Sequence, residues 1–161
     1  MFVKLVSVCY TIPMANLVYN KKAHFDYEVM QKFETGIELL GHEVKSIKNS
    51  RGSLDGARVL VRGGEAFLVG VTIPLYQPNN AVSAYQTDRT RKLLLTKSEI
   101  AELARAEGQK GLTIIPISMY LKGKKIKVEI AIVRGKKKYD KREVIKKRDT
   151  ERDIAREYKT R

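Results

Sequence analysis

Hydrophobic and polar positions alternate over several short stretches of this chain, and the alternation predicts strands. Ile115, Ile117, Met119 and Leu121 alternate, Lys122-Gly123-Lys124-Lys125 turns, and Ile126, Val128, Ile130 and Ile132 alternate back. That pattern predicts an antiparallel hairpin. Ala57, Val59 and Val61 lead into the turn Arg62-Gly63-Gly64-Glu65, and residues 67–71 return as a second hairpin. Phe25, Tyr27 and Val29 alternate with Asp26 and Glu28. This spacing fits a strand, and equally a short helix running through Met30 and Phe33. Residues 34–48 predict the strand on which the others close. Ile37 and Leu39 flank Glu38, the phase slips at Leu40-Gly41, and Val44 and Ile47 follow at a different spacing. An extra residue beside a glycine is how a strand takes a bulge and bends.

Between the hairpins, Thr96-Lys97-Ser98-Glu99 has the capping-box form, with Glu99 three residues after the Thr96 cap. Ile100, Leu103 and Ala104 then share a face of a short helix that Gly108 or Gly111 ends. Residues 49–53 read as a loop, and Pro74, Pro78 and Asn79-Asn80 mark a longer one reaching about Thr87. Five or six antiparallel strands must hide their edges, and a small barrel does so. The expected fold is mainly β with short helices: a six-stranded antiparallel oligonucleotide-binding-type barrel over residues 15–133.

Charge divides the chain. It carries 161 residues and a net charge of +14. Residues 134–161 hold 13 Lys+Arg against 6 Asp+Glu, and the first 133 hold 19 against 12. Half the excess therefore sits in the last 28 residues. A polyphosphate partner is the commonest reason for such a balance; an anionic membrane is the rival, and a merely solvated surface the bland reading. Concentration at one end favours nucleic acid. From Lys141 onward there is no Gly and no Pro. Asp140 and Glu143 have the capping-box spacing, and pairs such as Glu143 with Lys147 favour a helix. The apolar residues there, Val144, Ile145, Ile154, Ala155 and Tyr158, form no continuous stripe. An isolated helix of this length is marginal in water. The expectation is a tail over 134–161 that is disordered when free and helical on a binding surface.

Residues 1–14 make a largely apolar start in which only Lys4 is charged. We expect them to be an extension upstream of a true start at Met14, rather than a secretory signal. A single cysteine, Cys9, permits no internal disulfide and fits the cytoplasm.

The chemistry of the chain points away from catalysis. His24 and His42 are the only histidines, and there is no HExxH, no paired CxxC, no phosphate-binding Gly-rich loop and no Rossmann pattern. No metal or cofactor is expected. Glu34, Glu38 and Glu43 are either a metal-assisted acid/base set, as in a nuclease built on a small barrel, or structural ion-pair partners. Arg89-Thr90-Arg91-Lys92-Leu93-Leu94-Leu95 is more specific, because three cations flank a hydroxyl and run into an apolar triplet. Either Leu94 is exposed and packs on a base or sugar, or all three leucines are core. Tyr139 among lysines is a candidate for base stacking.

With these segments in view, the chain resembles the tmRNA-binding protein family, also called SsrA-binding protein or small protein B. The resemblance rests on Asn20-Lys21-Lys22-Ala23, Gly41-His42-Glu43-Val44-Lys45-Ser46, Gly64-Glu65-Ala66-Phe67-Leu68, residues 87–95 and residues 135–142. It covers about residues 15–161. It implies a non-enzymatic protein that binds the tRNA-like domain of tmRNA and supports its alanylation by alanyl-tRNA synthetase and its delivery with elongation factor Tu. It implies that tmRNA is thereby brought to ribosomes stalled on messages without a stop codon. By motif, Asn20, Lys21, Lys22, Glu34 and Leu94 would serve the tmRNA face, with Arg89, Arg91 and Lys92 supporting it. Lys136, Lys137 and Lys138 would lie near ribosomal RNA. Tyr139, Asp140, Lys141 and Arg142 would act at the empty decoding site, with the rest of the tail helical in the message channel. Many relatives carry His where this chain has Tyr139; a Tyr ring can still stack, while a proton-transfer role carried by His does not pass to this chain. Relatives often carry Trp where this chain has Thr150. A general RNA chaperone is the other binding-protein reading.

Overall fold

A computed structural model describes residues 16–77, 85–136 and 150. Seven strands and three helices follow one another in these residues: β1 (Asn16–Tyr19), α1 (Ala23–Asp26), β2 (Tyr27–Ile37), α2 (Gly41–Lys48), β3 (Arg58–Arg62), β4 (Glu65–Val69), β5 (Arg91–Leu94), α3 (Lys97–Glu107), β6 (Leu112–Lys122) and β7 (Lys125–Gly135). The strands form one sheet in the order β1-β6-β7-β2-β5-β4-β3, antiparallel at every step. The sheet curls so that β3 faces β6, which surrounds a main core that includes Phe33, Leu68, Leu93, Met119 and Ile130.

Both predicted hairpins are present. The β3–β4 turn places Gly63 and Gly64 at φ 58° and 74°, a left-handed pair that side chains resist. The β6–β7 hairpin is longer and more complicated than its sequence reads. Ile114, Met119 and Leu121 face the main core, whereas Ile115 and Ile117 join Ala23, Ala131 and Val133 in a second cluster on the other side of the sheet. The switch comes from a register shift between Pro116 and Ser118, which makes Ile117 an extra residue. Thus four apolar residues that alternate as one face serve two.

The strand count is seven rather than six, since β1 and β5 are each only four residues long. The two free edges are joined across a seam by residues 51–55. Asn20 Nδ2 donates to Leu54 O (3.4 Å), and Ser53 exchanges backbone bonds with Thr72 (2.9 and 3.1 Å).

The predicted bent strand over 34–48 is overturned in its second half. β2 ends at Ile37, and residues 41–48 are helix α2. Val44 and Ile47 are spaced i, i+3 on that helix, and Leu40 is its N-cap. β2 does carry an irregularity, between Val29 and Gln31. The strand reading of Tyr27 and Val29 holds, while α1 takes Phe25 and Asp26.

Helix α3 begins at the predicted Thr96 cap. Glu99 N–H donates to Thr96 Oγ1 (3.4 Å) and Thr96 N–H to Glu99 Oε2 (2.8 Å). Its buried face is Leu103 and Ala106 rather than Ala104. We expect Thr96→Ala to remove this cap at a cost of about 1 kcal/mol. Thermal denaturation followed by circular dichroism should show a drop of about 3 °C.

β7 runs to Gly135, two residues past the expected barrel boundary at 133. Lys136 N–H then donates to Asp26 O (3.0 Å) and Lys136 Nζ to His24 O (2.8 Å), fixing the root of the tail on α1. Apart from Thr150, the tail after Lys136 and the extension 1–14 fall outside the described residues.

Candidate nucleic-acid interface

Strand β5 sorts its side chains by the two-residue period. Arg91 and Leu93 are buried; Lys92 and Leu94 point away from the core. Leu94 is 57% exposed, so the reading that makes all three leucines core does not hold. It lies over Gly36 of β2, where an added Cβ would come within 3.2 Å of Leu94 Cβ. Thr35 Oγ1 donates to Leu94 O (3.1 Å), which holds the strand there. Leu94 is therefore a ridge between two grooves. One groove is lined by Ile37, Leu39, Val44 and Ile126 with Lys124, Lys125 and Lys127. The other has Glu34, Glu65, Lys92 and Lys127 along its walls.

The charges beside Leu94 are partly paired. Glu34 on the outer face of β2 accepts from Lys122 Nζ (2.8 and 2.9 Å) and Tyr120 OH (2.6 Å). The Lys122 bond, then that of Tyr120, holds the Glu34 carboxyl below the usual carboxylate range. Burial, and the carboxylate beside it, push the Tyr120 hydroxyl upward. Lys92 pairs with Glu65. Lys127 lines both grooves and escaped the sequence reading. Its signal was present: Ile126 and Val128 turn into the core, so Lys127 between them must turn out.

Behind the ridge lies a buried ionic cluster. Glu43 and Arg91 are each 0% exposed. Glu43 Oε1 accepts from Arg91 Nε (3.1 Å) and Nη2 (2.8 Å), from Arg89 Nε (2.8 Å) and from Tyr85 OH (3.1 Å). Its Oε2 accepts from Arg89 Nη2 and from Leu40 N–H (2.8 Å), the latter closing the first turn of α2. Arg91 also donates to the carbonyls of Val71 (2.7 Å), Arg89 (2.8 Å) and Thr87 (2.9 Å). Burial alone would raise the Glu43 carboxyl, but the bonds from Arg89 and Leu40 N–H and the charge of Arg91 outweigh it and hold it at about 2. The cluster ties α2 to the chain leading into β5.

Two of the residues expected at the RNA face lie beneath the surface. Arg91 has no surface with which to touch a phosphate; it positions β5. Asn20 is likewise buried. Its Oδ1 accepts from the backbone N–H groups of Lys22 (3.2 Å) and Ala23 (3.1 Å), and its Nδ2 donates to Pro116 O (3.2 Å) as well as Leu54 O. Asn20 shapes the turn that presents Lys21 and Lys22, both exposed. Lys22 meets Asp55 at 3.3 Å. Arg89 is partly exposed beside the cluster. Of the expected ribosome-facing residues only Lys136 is described, at the tail root; Lys137, Lys138, Tyr139, Asp140, Lys141 and Arg142 lie outside the described residues.

The three acids do not converge as an active site would require. Glu34 is committed to Tyr120 and Lys122 on the outer face, and Glu43 is sealed among arginines. Among the described residues, no three His, Cys, Asp or Glu side chains gather where they could hold a metal ion. No helix among them is long and apolar enough to cross a membrane.

Comparison with known proteins gives this surface its context. The sequence pattern of the SmpB protein family matches residues 17–160. This chain belongs to that family. An SsrA-binding protein of Mycoplasma mycoides subsp. mycoides SC is 46% identical over 143 residues, covering 89% of this chain and 97% of the relative. One of Mesoplasma florum is 48% identical over 143 residues, covering 89% and 96%. A chain of a solved structure described as "tmRNA-SmpB: a journey to the center of the bacterial ribosome" matches with a TM-score of 0.64 at 35% identity, covering 74% of this chain and 84% of that one. That solved chain shares the mainly β architecture of this one.

Proposed function

We propose that this protein binds the tRNA-like domain of tmRNA and carries it to stalled ribosomes for trans-translation, without catalysing a reaction itself. The observation that carries this reading is family membership over residues 17–160, with near-full-length SsrA-binding relatives. The exposed Leu94 ridge with lysines along both grooves supports it. An apolar side chain packs against a base or sugar while lysines meet phosphates. In this reading Leu94, Lys92, Lys127 and Glu34 face the RNA, and Lys21 and Lys22 extend the contact at the turn between β1 and α1. Asn20, Arg91 and largely Arg89 hold that surface from behind. Glu34 orients Tyr120 and Lys122, since a carboxylate facing phosphates helps only through the groups it positions.

The remaining assignments extend the same reading. Elongation factor Tu and alanyl-tRNA synthetase act on the protein's partner RNA, so they meet this protein through tmRNA. The work is cytoplasmic and uses no cofactor. Lys136, Lys137 and Lys138 approach ribosomal RNA, Tyr139 stacks rather than transfers a proton, and Asp140, Lys141 and Arg142 occupy the decoding site ahead of a helical tail.

A salt series tests the central claim, using the tRNA-like domain of tmRNA, an ordinary tRNA and an unrelated hairpin. Purely ionic contacts lose affinity with salt for every RNA alike, with a logarithmic slope of about −0.7 to −0.9 per phosphate neutralised. The expected result is a tRNA-like domain that stays bound and preferred as salt rises. Parallel loss of all three would make this a general RNA-binding protein.

A further inference from the structure

A second aromatic feature lies away from Leu94. Tyr19 ends β1 as an exposed residue, 42% open to solvent, because Val18 before it takes the core side of the strand. The exposed His24 stacks on it, with ring centroids 6.0 Å apart and planes 22° from parallel. Two rings stacked in the open cover little apolar surface for the protein itself.

The geometry of the pair is fixed from both sides. Asn20, next to Tyr19, makes four side-chain hydrogen bonds that lock the turn into α1. The His24 carbonyl is held by Lys136 Nζ. Lys21 and Lys22 lie between the two rings in sequence, and Lys136 sits against His24 through that bond. Lys22 is turned toward Asp55, so Lys21 and the tail root carry the charge. A preset aromatic surface with cations at its margins matches one ligand chemistry: a polyanion with flat apolar faces.

We propose that Tyr19 and His24 form a second RNA-binding site, a stacking platform for the bases of a single-stranded segment, at the corner where the tail leaves the barrel. The strand must be single, because paired bases have both faces covered by neighbours. The site is separate from the Leu94 ridge. In the sheet order β1 stands four strands from β5, about 19 Å along the sheet at the usual interstrand spacing. A structured RNA held at Leu94 and reaching Lys21 and Lys22 leaves the exposed ring faces of Tyr19 and His24 for another segment. The inference rests on the RNA-binding reading above and adds a site to it.

The test uses the full chain, a fluorescein-labelled decauridylate, the same oligomer with abasic positions, and the tRNA-like domain of tmRNA. The doubly substituted Tyr19→Leu, His24→Ser protein should bind decauridylate at least about fivefold more weakly, the low end for loss of one base stack. It should bind the tRNA-like domain as before and melt at an unchanged temperature. Tyr19→Trp keeps an aromatic face and should retain decauridylate affinity even if the double variant is poorly folded. The abasic oligomer should bind the unsubstituted protein as weakly as decauridylate binds the double variant. Equal binding of both oligomers, or an undiminished double variant, overturns the platform alone. Displacement of decauridylate by polyglutamate at equal charge also overturns it, in favour of an acidic protein partner. A wild-type chain that binds neither decauridylate nor the tRNA-like domain defeats the RNA-binding reading as well.

Discussion

Arg91→Met should destabilise the fold by about 3–5 kcal/mol, the range for removing one partner of a buried ion pair. The change leaves the Glu43 carboxylate sealed in the interior with Arg89 as its main cation. It also strips a donor from the carbonyls of Val71, Arg89 and Thr87, each costly to leave unmade. Urea denaturation at neutral pH measures the loss. Adding Glu43→Gln to the same chain removes the stranded charge and should recover part of it, so the two changes are less than additive. The pair also sets an acid limit. Glu43 is held at about 2 against an ordinary 4.5, a depressed carboxyl. Its contribution is therefore complete above pH 4.5 and drains away as pH falls toward 2. A shift of that size corresponds to about 3 kcal/mol across the window. Denaturation midpoints collected between pH 6 and 2 should trace this decline. Without Arg91 the decline should begin at a higher pH.

Leu94→Glu should behave in the opposite way, leaving stability almost untouched and abolishing most tmRNA affinity. Leu94 is 57% exposed, and exposed substitutions usually stay within about 0.5 kcal/mol. In the complex the same side chain would bury its apolar surface, worth about 1.5–3 kcal/mol, and a carboxylate there would also face phosphates. A loss of about a hundredfold in affinity for the tRNA-like domain is expected, with Leu94→Ala closer to tenfold. Binding titrations beside thermal melts of the same preparations separate the two properties. A melt that falls by many degrees would make Leu94 part of the fold's support instead.

Local patterns were legible in the sequence and long-range ones were not. The β3–β4 and β6–β7 hairpins and the Thr96–Glu99 cap of α3 each depend on residues a few positions apart, so periodicity and turn chemistry were enough. Residues 41–48 misled because Val44 and Ile47 are too few to distinguish a three-residue period from a broken two-residue one. The decisive contact there is Glu43 with Arg91, forty-eight positions away, and no local pattern carries it. The same limit applies to Asn20, whose partner Pro116 is ninety-six positions distant. Leu94 could be narrowed to two readings from its neighbours; only the cross-strand position of Gly36 chooses between them. Lys127 was visible in the alternation but was not singled out, since a lysine on a solvated face is ordinary.

The uneven anchoring of the strands carries a consequence for how the barrel assembles. The β6–β7 hairpin closes through a two-residue turn and supplies apolar side chains to both clusters. It gains its contacts at little loop-closure cost, so it is the natural place for folding to begin. β1 is the contrary case. It has four residues, contributes Val18 to the core, and finds its partner strand about a hundred positions along the chain. Such a strand docks late and lets go first. Yet it leads into the turn of Asn20, Lys21 and Lys22. In the proposed complex, closing the seam and gripping an RNA with these lysines would be coupled steps: a bound polyphosphate would stabilise the last strand to arrive, and a change that loosens β1 would lower affinity without touching a contact.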